Sequence, residues 1–415
     1  MLNIYAAVIL ATLALEYLLG LISSHLNLRS LSERLPQEFE GLYDAEAYSK
    51  SQQYTRDSTR FGRVSSTFQL LVLLGFWFAG GFNGLDLWVR GLGWGEILSG
   101  LAYIGILALA GSAASLPFSI YDTFVLEERY GFNKTTPGVF LTDLIKGLGL
   151  AVLLGGALLA AVLAFFQYAG QAAWLYCWAA STLWTFFLQF ITPTWIMPLF
   201  NKFEPLEEGE LRDSLMAYSK KVRFPLQNVY VLDGSRRSSR ANAFFMGFGR
   251  NKRVALYDTL IEQQSVPETV AVLAHEIGHY KKHHIAQSIV ISIIHMGVLF
   301  WLLSIFISHP GLFEAFGMQH QSLYAGLLFF GLLYSPIELL LSIVLQAFSR
   351  RNEHQADSFA CQTSSAEQLV SGLKKLAREN LDNLTPHPLH VFLHYSHPPM
   401  LKRIQHIREG VGGRL

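Results

Sequence analysis

Seven stretches of this chain are apolar for longer than a globular core requires, and they set the solvent in which it folds. They cover residues 4–22, 68–89, 98–120, 147–168, 172–200, 286–307 and 323–348, the fifth interrupted by Pro193 and Pro198. About 20 apolar residues span the hydrocarbon core as a helix, where no water can satisfy a backbone group left unpaired. Composition agrees: 51% of the 415 residues are hydrophobic, 15% are charged and the mean hydropathy is +0.30. A soluble protein carries about a quarter charged residues. The expected fold class is mainly α, a multi-pass membrane protein with about seven transmembrane helices.

Charge orients these spans. The net charge of +1 gives no footprint for nucleic acid. With seven spans, Arg90 alone of the 32 Lys and Arg residues falls on one side of the membrane. The crowded side is read as cytoplasmic, with the N-terminus outside and the C-terminus inside. The first run lacks a basic leader and a small-residue exit, so it reads as a retained span. Cys177 lies in a span and Cys361 on the cytoplasmic side, which offers neither a disulfide framework nor a cysteine metal site.

Residues 1–200 read as a membrane domain of five spans with cytoplasmic loops at 23–67 and 121–146. Residues 31–34 and 45–63 are charged and expected to be helical. Residues 201–285 form the first large polar piece, 286–348 two further spans, and 349–415 a second polar piece. Within the first piece, 228–232 alternates like a strand. Residues 241–248 and 253–256 read as a hairpin around Gly249-Arg250-Asn251. Pro267 starts a helix.

That helix carries His275-Glu276-Ile277-Gly278-His279. Residues four apart share a helix face, so both imidazoles can reach one metal ion, with Glu276 beside the water it holds. This is the zinc-peptidase pattern; it needs a third ligand and an open coordination position. Positions 282 and 285 are Lys and Ile, which excludes a third His six residues after the second. Ser349-Arg350-Arg351-Asn352-Glu353-His354-Gln355-Ala356-Asp357 supplies Glu353 as ligand. Asp357, one turn on, can hold a ligand His by its second nitrogen. His283 is the alternative third ligand, although it would set three ligands in a line. Lys281, Lys282 and His284 read as a solvated cluster near the headgroups. His295 lies mid-span and should face the bundle interior. Glu276 is the expected general base and acid. An oxyanion donor could come from any of His387, His390, His394 and His397.

These residues, with others spread along the chain, resemble the Ste24-type CAAX prenyl proteases, integral-membrane zinc metallopeptidases of the M48 group. The matching segments are Lys50-Ser51-Gln52-Gln53-Tyr54, 118–132 (FSIYDTFVLEERYGF), 197–203 (MPLFNKF), 237–259 (RSSRANAFFMGFGRNKRVALYDT), the metal motif, 349–357 and Tyr395-Ser396-His397-Pro398-Pro399. The resemblance implies seven helices enclosing a chamber, capped by a zincin-like domain with a small β-sheet. It implies one Zn2+ held by His275, His279 and Glu353. It implies substrate binding by Asn242, Ala243 and Phe244 through strand addition, with His397 near the scissile carbonyl and Arg403 beside the site. Glu16 and Glu338 are expected to line the chamber. The implied partners are a peptide or protein substrate, isoprenylated in CAAX processing, and the lipid bilayer. The C-terminal residues lack a dilysine signal, so a bacterial inner membrane is expected, or the endoplasmic reticulum membrane in a eukaryote. Two rival readings are a membrane-protein quality-control protease of HtpX type and a non-catalytic zinc-containing scaffold.

Overall fold

The protein is described by a computed structural model, which covers residues 3–246 and 252–412. Seven helices among these residues are long and apolar enough to cross a membrane. The first six helices are α1 (Ile4–Arg29), α2 (Ala45–Phe78), α3 (Gly81–Gly91), α4 (Glu96–Tyr130), α5 (Pro137–Tyr168) and α6 (Gly170–Phe200). All of these except α3 are spans. Exposed Leu71, Leu153 and Leu183 lie along them, a surface suited to lipid.

The second apolar run differs from expectation. It is not one span. Residues 31–34, expected to be helical, are not, and α2 begins at Ala45, where Asp44 Oδ1 accepts from Ala47 N at 2.7 Å. It ends at Gly80, whose φ of +74° no side-chain-bearing residue adopts cheaply. The remainder is α3, 11 residues long. There Asp86 is fully buried and accepts from Arg90 Nε (2.8 Å) and the Tyr324 hydroxyl (2.6 Å). The Arg90 guanidinium is thus neutralised within its own helix. In α6, Pro193 and Pro198 do not end the helix; Thr192–Ile196 winds as a π-turn and absorbs the lost hydrogen bonds.

A four-stranded sheet follows: β1 (Phe203–Pro205), helix α7 (Glu210–Lys221), β2 (Leu226–Leu232), β3 (Ala243–Met246) and β4 (Lys252–Tyr257). Its order is β1-β2-β4-β3, with β2 and β4 parallel and the other pairs antiparallel. β3 is therefore an edge. Gly247, Phe248 and the expected turn at 249–251 lie outside the described residues. Asn242 O accepts from Tyr257 N at 3.0 Å. Antiparallel alternation then turns the peptide groups of Ala243 away from β4.

Besides two 6-residue helices, Asp258–Gln263 and Pro310–Ala315, the remaining helices are α8 (Val266–Lys281), α9 (His284–Phe306), α10 (Leu323–Thr363), α11 (Ala366–Glu379), α12 (Pro388–His394) and α13 (Met400–Gly412). Pro267 sits in the first turn of α8. Glu268 Oε2 reaches back to accept from Ser265 N and Oγ (2.8 and 2.9 Å), satisfying donors the helix start leaves free. Val272, Leu273, Ala274 and Ile277 are buried, so α8 is packed on most sides rather than along one stripe. α10 is 41 residues, or roughly 60 Å at 1.5 Å per residue. Span and third-ligand segment are thus one continuous rod that carries membrane geometry into the polar domain.

Candidate active site

α8 and α10 meet closely because position 278 is glycine. A Cβ there would lie 3.0 Å from both Cα and O of Ala356. This approach brings Glu353, one turn before Asp357 on α10, up to the two imidazoles. The ligand atoms of His275, His279 and Glu353 all lie within 4.8 Å of one another. His275 Nε2 is 3.2 Å from His279 Nε2 and 3.4 Å from Glu353 Oε2; His279 Nε2 is 3.2 Å from Glu353 Oε1. A tetrahedral zinc with ligands at about 2.0–2.1 Å has ligand-to-ligand edges of about 3.3–3.4 Å. The imidazole-to-imidazole edge is close to that figure, and the Glu353 carboxylate presents one oxygen to each imidazole at a similar separation. Glu353 Oε2 is buried and makes no close hydrogen bond; its nearest charged neighbours are His275 Nε2 at 3.4 Å and Arg403 Nη1 at 3.7 Å, which leaves it room to ligate. The donor set and its spacing therefore fit zinc. His283 takes no part: with φ +59° it forms the break between α8 and α9.

Each imidazole is held by its other nitrogen. His275 Nδ1 donates to Asp357 Oδ1 at 2.9 Å, and Asp357 is fully buried. Arg403 grips the same carboxylate with Nη2 (2.6 Å) and Nε (2.9 Å). Burial and Arg403 oppose charge on His275, but the hydrogen bonds to Asp357 and Glu353 outweigh them and raise its pKa to about 9. The site is thus electrostatically prepared for a cation. His279 Nδ1 lies 3.0 Å from His284 Nδ1, and His284 Nε2 lies 3.1 Å from Gln355 Oε1. Gln355 Oε1 can only accept, so His284 donates from Nε2, accepts at Nδ1 and is neutral. His284 is 4% exposed, which corrects its expected place in a solvated cluster. It lies one residue past the helix break, where no helical spacing marks it.

Glu276 separates two cavities. One, about 490 Å³, is a cleft bounded by Asn242, Ala243, Tyr395, His397 and Arg403. The other, about 510 Å³, reaches between the spans to Thr185, Gln189, Ser288 and Ser292. His275, Glu276, Glu353 and His397 line both. Burial is the largest influence on the Glu276 carboxyl and raises its pKa, while the adjacent imidazoles oppose this.

Of the four tail histidines, His397 alone meets a ligand, with Nε2 3.4 Å from Glu353 Oε1. Arg350 on α10 fixes this segment by donating to Val391 O (3.2 Å) and Tyr395 O (2.6 Å). His387 caps α12, and His390 pairs with Ser23 Oγ at 2.8 Å. Two expectations change. Phe244 lies on the strand beside the cleft, but its ring packs on Tyr257 (centroids 6.2 Å apart), since the side-chain period of two points it away from Ala243's side. Arg403 borders the cleft, yet it is 7% exposed and two of its nitrogens are engaged by Asp357, so its structural partner is that carboxylate. His295 is half-buried, 3.1 Å from the Tyr334 hydroxyl and 3.4 Å from Glu338.

Comparison with known proteins follows the same outline. A family model described as CAAX prenyl protease N-terminal, five membrane helices, matches residues 24–202, and one for peptidase family M48 matches 205–411. A CAAX prenyl protease 1 homolog of Arabidopsis thaliana is 37% identical, covering 93% of this chain and 94% of its own. CAAX prenyl protease 1 of Saccharomyces cerevisiae is 34% identical, covering 91% and 89%. The crystal structure of S. mikatae Ste24p superposes with a TM-score of 0.93 at 31% identity, covering 98% of this chain and all of that one. Seven spans, an M48 match over the metal-ligand cluster and near-full-length similarity make one statement: this chain belongs to the CAAX prenyl proteases of peptidase family M48 and is an integral-membrane metallopeptidase.

Proposed function

We propose that the chain is a zinc endopeptidase that cleaves near the C-terminus of prenylated CAAX-type substrates at the cytoplasmic face of its membrane. The observation that carries the zinc assignment is the convergence of His275, His279 and Glu353, whose ligand atoms all lie within 4.8 Å of one another with the closest pairs 3.2–3.4 Å apart. Such a site supplies a water acidic enough to attack at neutral pH and a polarised carbonyl. Glu276 takes the proton of the attacking water and delivers it to the leaving amine, a dual task that its burial-raised pKa favours. His397 offers a donor to the oxyanion from the cleft side, where its side chain is 63% exposed. Asp357 holds His275 in the ligating tautomer.

Substrate backbone is read by the free edge of β3. Ala243 turns its peptide groups outward, and an extended chain can add there as a further strand. Its N–H is held meanwhile by Asn242 Oδ1 at 2.8 Å, so an arriving substrate displaces an amide rather than a water. The charge asymmetry supports a cytoplasmic active site, because Arg90 alone lies on the far side. The names of the full-length relatives support CAAX substrates. A lipid anchor can remain in the bilayer while the peptide enters the cleft.

The test is incubation of purified protein with a farnesylated Cys-a-a-X peptide, with and without chelator, followed by mass analysis. Loss of the terminal tripeptide in the zinc-loaded sample alone is expected. Glu276→Gln should bind one zinc per chain and lower kcat by about 10²–10⁴-fold. Chelator-resistant cleavage, or an active Glu276→Gln protein, would refute the assignment.

A further inference from the structure

Between α1, α2 and α12 lies a separate cavity of about 390 Å³, bordered by Glu16, Ser24, Thr59, Arg63, His390 and His394. Glu16, expected to line a chamber, borders this one. The unusual member is Arg63. Its Nε and Nη2 are buried and have no hydrogen-bond partner. No carboxylate among the described residues lies within ion-pairing distance of it, Glu16 included. Two guanidinium nitrogens shielded from water without a counter-anion are costly, and the fold retains them beside an open space.

The idle atoms form a particular edge. Arg403 grips Asp357 through Nε and Nη2, and Arg237 grips Asp143 through the same pair at 2.7 and 3.0 Å. In both of those places that edge is occupied by a carboxylate, bound bidentately. Position supplies the second argument. His394 borders both this cavity and the cleft beside the metal ligands. It precedes His397 by three residues, at most about 11 Å of chain. Three residues beyond a scissile bond extend equally far, about 10–11 Å. An aaX tripeptide that runs from the metal ligands toward α12 is therefore long enough to reach the His394 wall that the cleft and this cavity share.

We propose that Arg63 receives the free C-terminal carboxylate of the substrate, so that the enzyme measures its cut from the chain end. This rests on the CAAX reading above. Arg63 swings its flexible side chain out of its packed position and offers the Nε/Nη2 edge across the cavity. The hydroxyls of Ser24 and Thr59 add neutral donors. Before substrate arrives, the guanidinium is stored unpaired.

The test uses two farnesylated Cys-a-a-X peptides that differ only in ending as free acid or carboxamide. The full-length wild-type protein should cleave the acid with a kcat/KM at least about tenfold above the amide, chiefly through KM, as expected for loss of a charged hydrogen-bond pair. Arg63→Gln should bring the acid-to-amide ratio to about one. Arg63→Lys should keep a partial preference, because it returns the charge without the fork. The wild-type ratio needs no variant, so a misfolded substitution cannot protect the idea. Equal cleavage of both peptides by wild type, or a preference that survives Arg63→Gln, overturns Arg63's role alone. Failure of wild type to cut either peptide overturns the CAAX reading and this inference with it.

Discussion

The two metal-facing imidazoles hang from unlike supports. His275 rests on a buried carboxylate that is itself locked by a buried guanidinium, a charged arrangement spanning α8, α10 and α13. His279 rests on a second imidazole and then an amide, a neutral arrangement just past the end of its own helix. A carboxylate support makes its imidazole a more basic ligand and draws positive charge to the site; an imidazole support sets the tautomer and little else. The charged support also has a structural duty, since removing one member leaves the other buried and unpaired. The prediction is asymmetry: damage on the Asp357 side should unfold and demetallate, whereas damage on the His284 side should only loosen the metal.

The largest effect is expected from Asp357→Asn. It should weaken zinc binding by about 10–100-fold and lower stability by about 3–5 kcal/mol, because Arg403 loses its counter-ion. Competition with a graded chelator and thermal unfolding in detergent measure the two effects. Gly278→Ala comes next, at about 1–3 kcal/mol, because its Cβ would press on the Ala356 backbone and part α8 from α10. The His275–Asp357 bond crosses that interface, so Gly278→Ala and Asp357→Asn should be less than additive in a double-mutant cycle. Full additivity would mean that the glycine does not serve the charged support. His284→Ala should cost about tenfold in zinc affinity with little change in melting temperature. If it costs as much stability as Asp357→Asn, the contrast between the supports is wrong.

The smallest effect concerns Glu268, which anchors the start of α8. Burial alone would raise its pKa, but bonds to Lys375 (2.7 Å), Ser371 (2.6 Å) and Ser265 lower it to about 2 from 4.5. A folded-state pKa below the unfolded value stabilises fully above about pH 4.5 and is lost as pH falls through about 2. Glu268→Gln should therefore lower stability by about 1–2 kcal/mol at pH 7. The gap from wild type should close between pH 4.5 and 2 in chemical unfolding curves. A gap that stays constant over that range would assign the effect to packing.

Much of this was legible because it is local or periodic. The apolar runs announced the spans, and i, i+4 spacing placed His275 with His279 and Glu353 with Asp357 on shared faces. The break at Gly80 was misread because an apolar run carries no sign of where a left-handed residue divides it. His284 was misread because a histidine after a helix end looks the same in sequence whether it faces water or a partner. The motif that carries Phe244 says nothing of its ring, which strand period sets against Tyr257. Arg63 carried no signal, since one arginine among the basic residues of a cytoplasmic loop is unremarkable until its surroundings are known.

The amino-acid order by itself determined that this chain crosses the membrane repeatedly, which side bears its charge, and that one helix turn presents two imidazoles and a carboxylate. Those properties depend on hydropathy and helical repeat, which neighbouring residues decide among themselves. Only the tertiary structure decided that Glu353, 74 positions beyond His279, comes up to the two imidazoles, that Asp357 and His284 steady them differently, and that Arg63 turns two unpartnered nitrogens beside the cavity between α1, α2 and α12. Distances and burial between remote segments follow from how the rods pack, and packing is settled by the whole chain at once.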